Sequence, residues 1–206
     1  MSAEQERAGP ERRRRLFVAI EIPAPVRAAI AEWGVAALAD QALRAVPAQN
    51  LHLTLVFLGD VGESRIPAAA ASVGRVRAAA PVLRFRPEPI GLPTSRRPGL
   101  YALQVDSPGV VGIQREVRRD LSSTGLGAPE RRPFSPHVTV ARVRRGGGSG
   151  RRPQRVRRPP GPVPGALRRP FRAVRVALYR SSFGPDGVSY SPLAQVELSS
   201  GEAAVR

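Results

Sequence analysis

The sequence predicts an α+β protein built as two similar lobes around a cleft. Three observations predict it. Leu16-Phe17-Val18-Ala19-Ile20-Glu21 and Leu100-Tyr101-Ala102-Leu103-Gln104-Val105-Asp106 are apolar runs of strand length. Each run is followed by a helical stretch. Each helical stretch leads to a strand that carries histidine and threonine two apart, His52-Leu53-Thr54-Leu55 and His137-Val138-Thr139-Val140. Leu16 to His52 is 36 positions and Leu100 to His137 is 37, so one strand–helix–strand unit occurs twice at nearly constant length, as an internal duplication would produce. A pseudo-twofold between the copies brings both histidine strands to one cleft.

In chain order, residues Met1 to Arg15 are polar and end in Arg12-Arg13-Arg14-Arg15, which reads as a disordered basic tail. One domain then covers 16–200. After the first strand, Pro23 and Pro25 introduce a helix from Val26 to about Ala45, which Pro47 closes. The first histidine strand runs to Gly59-Asp60, a second helix spans about Glu63 to Ala80, and Val82 to Ile90 reads as a strand. The second unit follows, with a helix over Val110 to Leu121. Residues 144–170 are rich in Arg, Pro and Gly and read as a flexible loop. Strands over Ala173–Phe183 and Val188–Leu198, joined by the turn Gly184-Pro185-Asp186-Gly187, close the fold.

Composition removes several chemistries. The 206 residues hold no cysteine, so disulfides and thiolate ligation are excluded. With two histidines and no carboxylate inside either tetrad, no zinc-type spacing exists and no metal is expected. No apolar run is long enough to span a membrane, and a cytoplasmic monomer without cofactor is the expectation. The net charge of +17 suits a polyanionic partner. Between Glu130 and Asp186 the chain has fifteen arginines and no acid.

The tetrads carry the chemistry. Both histidines of the protein begin one, although the chain has only four threonines. Random placement would give that coincidence roughly 4 times in 10,000. In a strand, side chains two apart share a face. His52 and Thr54 therefore share one face, with Leu51, Leu53, Leu55 and Phe57 on the other, and His137 and Thr139 lie opposite Val138 and Val140. Two imidazoles without metal ligands suit concerted acid–base catalysis on a phosphate ester: one takes a proton from the nucleophile, the other gives one to the leaving oxygen, and the threonines hold the phosphate oxygens. Acyl transfer fits less well, since no serine sits in a nucleophile elbow.

These residues resemble the two-histidine phosphoesterase superfamily, and within it the RNA 2',3'-cyclic phosphodiesterases, also called 2'-5' RNA ligases. The likeness rests on Leu16–Ile20, Pro47, Asn50–Leu55 with Phe57-Leu58-Gly59, Arg132-Pro133-Phe134-Ser135-Pro136-His137-Val138-Thr139-Val140-Ala141-Arg142, and Leu178–Ser181 with Gly187, Tyr190 and Pro192-Leu193. It implies a bilobal α+β fold with antiparallel sheets flanking the cleft. It implies His52 and His137 as the catalytic pair, with Thr54, Thr139 and Arg142 on the phosphate. The implied substrate is RNA with a 2',3'-cyclic phosphate end, tRNA fragments included. The implied product is a 2'-phosphomonoester, with His137 as base and His52 as acid. In a regular strand Arg142 would point away from His137, so its role requires a bulge. Ala45 and Val46 stand where relatives often carry tryptophan before Pro47. Phe17, Phe134, Tyr179 and Tyr190 are candidates to stack on a base, with core packing as the alternative for each. Two rival readings remain: a two-histidine enzyme acting on a small nucleotide or 2'-5' oligonucleotide, and a non-catalytic basic RNA-binding protein.

Overall fold

The computed structural model describes residues 11–127, 133–146, 152–185 and 187–199. Arg131-Arg132, the glycine run after Gly146, Arg151 and the turn residue Asp186 lie outside the described residues, as does the chain before residue 11. The elements are β1 (Arg13–Glu21), α1 (Ala24–Ala37), β2 (Leu43–Ala45), β3 (His52–Gly62), α2 (Ile66–Gly74), β4 (Val82–Phe85), β5 (Ile90–Leu92), β6 (Leu100–Asp106), α3 (Pro108–Ser123), β7 (His137–Val143), β8 (Phe171–Arg172), β9 (Arg175–Gly184) and β10 (Gly187–Glu197).

The strands form two antiparallel halves, β10-β9-β1-β3 and β7-β6-β4-β8, with β2 added to β7 and β5 to β6. The halves meet at β3 and β7 through a single residue pair, Leu53 opposite Val138. Both side chains are fully buried, so this seam is apolar beneath and splays apart on either side. Truncating Leu53 to Ala would open a void at the junction and cost about 2–5 kcal/mol. Leu16, Val18 and Ile20 on β1, Val176 and Leu178 on β9, and Leu103 on β6 fill the same core. Helices α2 and α3 pack together, with α2 under β9 and β10 and α3 under β3. Helix α1 turns Ile30 and Gly34 towards Val46 and Val140 around a small apolar hollow.

The predicted duplication appears in the register. β1 pairs Ala19, Ile20 and Glu21 with Thr54, Leu53 and His52. β6 pairs Ala102, Leu103 and Gln104 with Thr139, Val138 and His137.

Four expectations need correction. Arg13–Arg15 are strand rather than tail, because β3 continues to Gly62 and offers them partners. Helix α1 stops at Ala37, since the Asp40 carboxylate accepts the Ala42 N–H (2.8 Å) and turns the chain into β2. Helix α2 is short: Pro67 sits in its first turn and Gly74 ends it. The described residues of 144–170 are irregular but anchored. Asp40 accepts the backbone N–H of Arg157 and Arg158 at 2.8 and 2.7 Å. Trp33 donates to the Pro162 carbonyl, Val163 donates to that of Pro87, and Val163 and Leu167 are buried.

Candidate active site

The seam sets the geometry. Leu53 and Val138 face the core together, so their neighbours His52, Thr54, His137 and Thr139 all project from the opposite face. Continuing the antiparallel register by one step puts His52 beside Thr139 and Thr54 beside His137. The two imidazoles then flank, on a diagonal, the point where the halves diverge.

Each ring is oriented by its own backbone. His52 Nδ1 donates to the Asn50 carbonyl at 2.7 Å, and His137 Nδ1 donates to the Ser135 carbonyl at 2.8 Å. A carbonyl only accepts, so the proton sits on Nδ1 and Nε2 is turned to the cleft. His52 Nε2 lies 3.1 Å from Thr54 Oγ1, which donates to it. Asn50 is itself clamped, its Nδ2 donating to the Val188 carbonyl of β10 at 2.8 Å.

Both histidine strands bulge at the same place. On β3 the register jumps from Thr54 opposite Ala19 to Val56 opposite Val18, leaving Leu55 unpaired. On β7 it jumps from Thr139 opposite Ala102 to Ala141 opposite Tyr101, leaving Val140 unpaired. An extra residue inverts the alternation beyond it. Arg142 is therefore brought onto the face of His137 and Thr139, and it is exposed there. By the same inversion Phe57 leaves the apolar face expected for it and stands on the His52 side, 68% exposed. A second bulge at Leu58 is accommodated by Gly59 at φ +69°.

The surroundings of the two rings differ. Phe17 stacks on His52 with centroids 4.8 Å apart, and Tyr190 meets that imidazole edge-on at 5.1 Å. Tyr179 stacks on Phe17 at 5.4 Å and lies 6.5 Å from the His52 ring. Phe17 is only 4% exposed, so packing the histidine is its role here. Burial lowers the His52 pKa to about 4, the Asn50 carbonyl opposes the shift, and the charges of Arg142 and His137 add to it. His52 is thus neutral in the empty site. Glu21 is the cross-strand neighbour of His52 but is engaged elsewhere, 3.2 Å from Arg175 and 3.7 Å from Arg27. Among the described residues no group of three or more His, Cys, Asp or Glu side chains is gathered for a metal. Phe134 lines a hollow with Arg115 and Arg118 of α3.

The bulges, the clamp at Asn50 and the aromatic packing of His52 were not legible as sequence signals. Only the requirement for a bulge before Arg142 was.

Comparison with known proteins agrees with this frame. The model of the 2'-5' RNA ligase superfamily matches residues 22–159. The RNA 2',3'-cyclic phosphodiesterase of Escherichia coli (strain K12) is 30% identical over 179 residues, covering 87% of this chain and 93% of that protein. The enzyme of the same description from Thermus thermophilus is 30% identical over 190 residues, covering 89% and 90%. Among solved structures, TT0787 of Thermus thermophilus superposes with a TM-score of 0.73 at 28% identity, covering 92% and 100% of the two chains. E. coli LigT complexed with 3'-AMP gives 0.71 at 28%, covering 91% and 99%. Fold and paired histidine strands are those of a two-histidine phosphoesterase. More narrowly, the chain belongs to the 2'-5' RNA ligase superfamily.

Proposed function

We propose that this chain hydrolyses 2',3'-cyclic phosphate ends of RNA to 2'-phosphomonoesters by acid–base catalysis between His52 and His137, without a metal. The observation that carries the reading is the matched pair of Nε2 atoms on one face, each ring fixed through Nδ1 to a backbone carbonyl. Water attacks phosphorus opposite O3', the P–O3' bond breaks, one Nε2 takes the water proton and the other delivers a proton to O3'. Thr54, Thr139 and Arg142 bind the non-bridging oxygens and offset their developing charge. His137 is the base and His52 the acid. His52 is neutral when the site is empty, so it acquires its proton as the anionic phosphate arrives, because a neighbouring negative charge favours imidazolium. With an RNA 5'-hydroxyl in place of water, the same displacement forms a 2'-5' bond.

The test uses an RNA oligonucleotide ending in a 2',3'-cyclic phosphate. Turnover to a 2'-phosphate end should persist in EDTA. Inhibition by EDTA that a divalent cation reverses would reject the mechanism, and a 3'-phosphate product would reverse which oxygen leaves.

A further inference from the structure

The arginines at the start of β1 continue the site's own face. β1 pairs regularly with β9 from Arg15 to Ile20, so its side chains alternate without interruption. Leu16, Val18 and Ile20 face the core, and Arg14 on that side pairs with Glu63. Phe17, Arg15 and Arg13 therefore project on the side of His52. The partner of Arg15 on β9 is Ser181, and two residues further along the same face of β9 is Phe183, 73% exposed. Arg13 and Arg15 are both exposed. Arg13 spends one N–H on the Asp60 carbonyl (2.5 Å), and the Arg15 side chain has no hydrogen bond or ion pair among the described residues. Asp60 stands opposite Arg15 with no ion pair joining the two, and Glu11 lies within electrostatic reach of Arg13.

From these placements we infer that the strip from Phe57 through Arg15 to Arg13 and Phe183 is a track for single-stranded RNA on the 5' side of the reacting nucleotide. The inference rests on the proposed action at RNA ends. An exposed ring offers a stacking surface to any base, and exposed guanidinium groups neutralise backbone phosphates. The occupant follows from charge complementarity and from continuity with the cleft: a 2',3'-cyclic phosphate lies at a 3' end, so the rest of the strand must leave the site on one side. Phe17 to Arg13 is four residues, roughly 13 Å of strand, enough for about two further nucleotides. The chain is thereby a reader of short RNA ends rather than of mononucleotides alone.

The experiment compares the full chain with Arg13→Ser/Arg15→Ser and with Phe183→Ser. Two exposed arginines on the helix side of the sheet, Arg77 in the segment after α2 and Arg119 on α3, serve as an equal-charge control, Arg77→Ser/Arg119→Ser. Substrates are a cyclic mononucleotide and di-, tri- and tetranucleotides ending in a cyclic phosphate. Binding of a 3'-phosphate-ended tetranucleotide is measured separately from turnover. Wild-type kcat/KM should rise from one to three nucleotides and then level. The double arginine variant should lose about 10-fold on the tetranucleotide and less than 2-fold on the mononucleotide, and its log–log salt slope should flatten by about 1.4, as expected for two phosphate contacts on a single strand. Phe183→Ser should weaken tetranucleotide binding about 5-fold or more. Equal losses on all substrates, or equal losses in the control pair, would overturn the track. If wild-type protein binds the tetranucleotide through these residues yet turns over no cyclic phosphate, the proposed reaction fails and the track stands.

Discussion

β3 and β7 carry the same signature, the same hydrogen bond from Nδ1 to the carbonyl two residues back, and the same bulge three residues beyond the histidine. Their surroundings part company at the next step. The residue five beyond the histidine is Phe57 on β3 and Arg142 on β7. His52 is held between Phe17 and Tyr190 with Asn50 tied to β10, whereas His137 has no aromatic contact among the described residues. One half of the site is packed and aromatic, the other open and cationic. A duplicated strand has kept its backbone device and exchanged its environment, and it is the packed environment that holds His52 neutral.

The largest effect that tests this comparison is loss of either ring. His52→Ala and His137→Ala should each lower turnover by on the order of 10²-fold or more. A phosphodiester whose 3'-side leaving group needs no protonation sharpens the contrast. His52→Ala should recover most of its rate on it and His137→Ala should not. Rescue of His137→Ala instead would exchange the two roles.

The residues five beyond each histidine give the next contrast. Arg142→Ala removes a charged hydrogen-bond donor and should slow hydrolysis of a cyclic mononucleotide about 10–100-fold. Phe57→Ala should change that substrate by only a few-fold, and mainly in KM. Comparable losses in kcat for both would mean that the Phe57 ring serves the reaction as directly as the Arg142 guanidinium.

A smaller and more direct measurement follows the protonation. With only two histidines, imidazole NMR resolves each, and the His137→Ala spectrum assigns the other. His52 should titrate near pH 4 in the free protein, and its pKa should rise when a 3'-phosphate mononucleotide is added. Phe17→Leu should raise it without ligand by loosening the burial. The sign for stability follows. Between about pH 6.5 and 4 the unfolded chain binds a proton here that the folded chain refuses, so stability present above pH 6.5 is lost as pH falls towards 4. A free-protein value near 6.5 would mean that burial does not hold His52 neutral.

The smallest effect concerns what backs the β7 half. Asp40→Ala deletes the acceptor for the Arg157 and Arg158 N–H groups. Trypsin should then cut the 152–158 region faster, with little change in turnover of a cyclic mononucleotide.

The sequence displayed what depends on periodicity and missed what depends on register. The strand–helix–strand repeat, the common face of His52 and Thr54 and that of His137 and Thr139 all follow from spacing, and they appear as read. The exposure of Phe57 does not, because one unpaired Leu55 reverses the side chains between it and the second bulge at Leu58 and leaves no compositional trace. The same device on β7 was demanded only because Arg142 needed it. Arg13–Arg15 looked like tail since their polarity outweighs their pattern, yet the long β3 gives them a ladder. The 144–170 segment looked mobile by composition, while its anchors, Asp40, Trp33 and Pro87, lie far away in sequence.

The main-chain carbonyl behind each histidine has an evolutionary consequence. Because Asn50 and Ser135 present backbone rather than side-chain acceptors, no single substitution can delete either one. The imidazole, its tautomer and its hydroxyl neighbour travel together on a few contiguous residues. Copying one strand therefore carries over the whole arrangement of ring, carbonyl and hydroxyl at once.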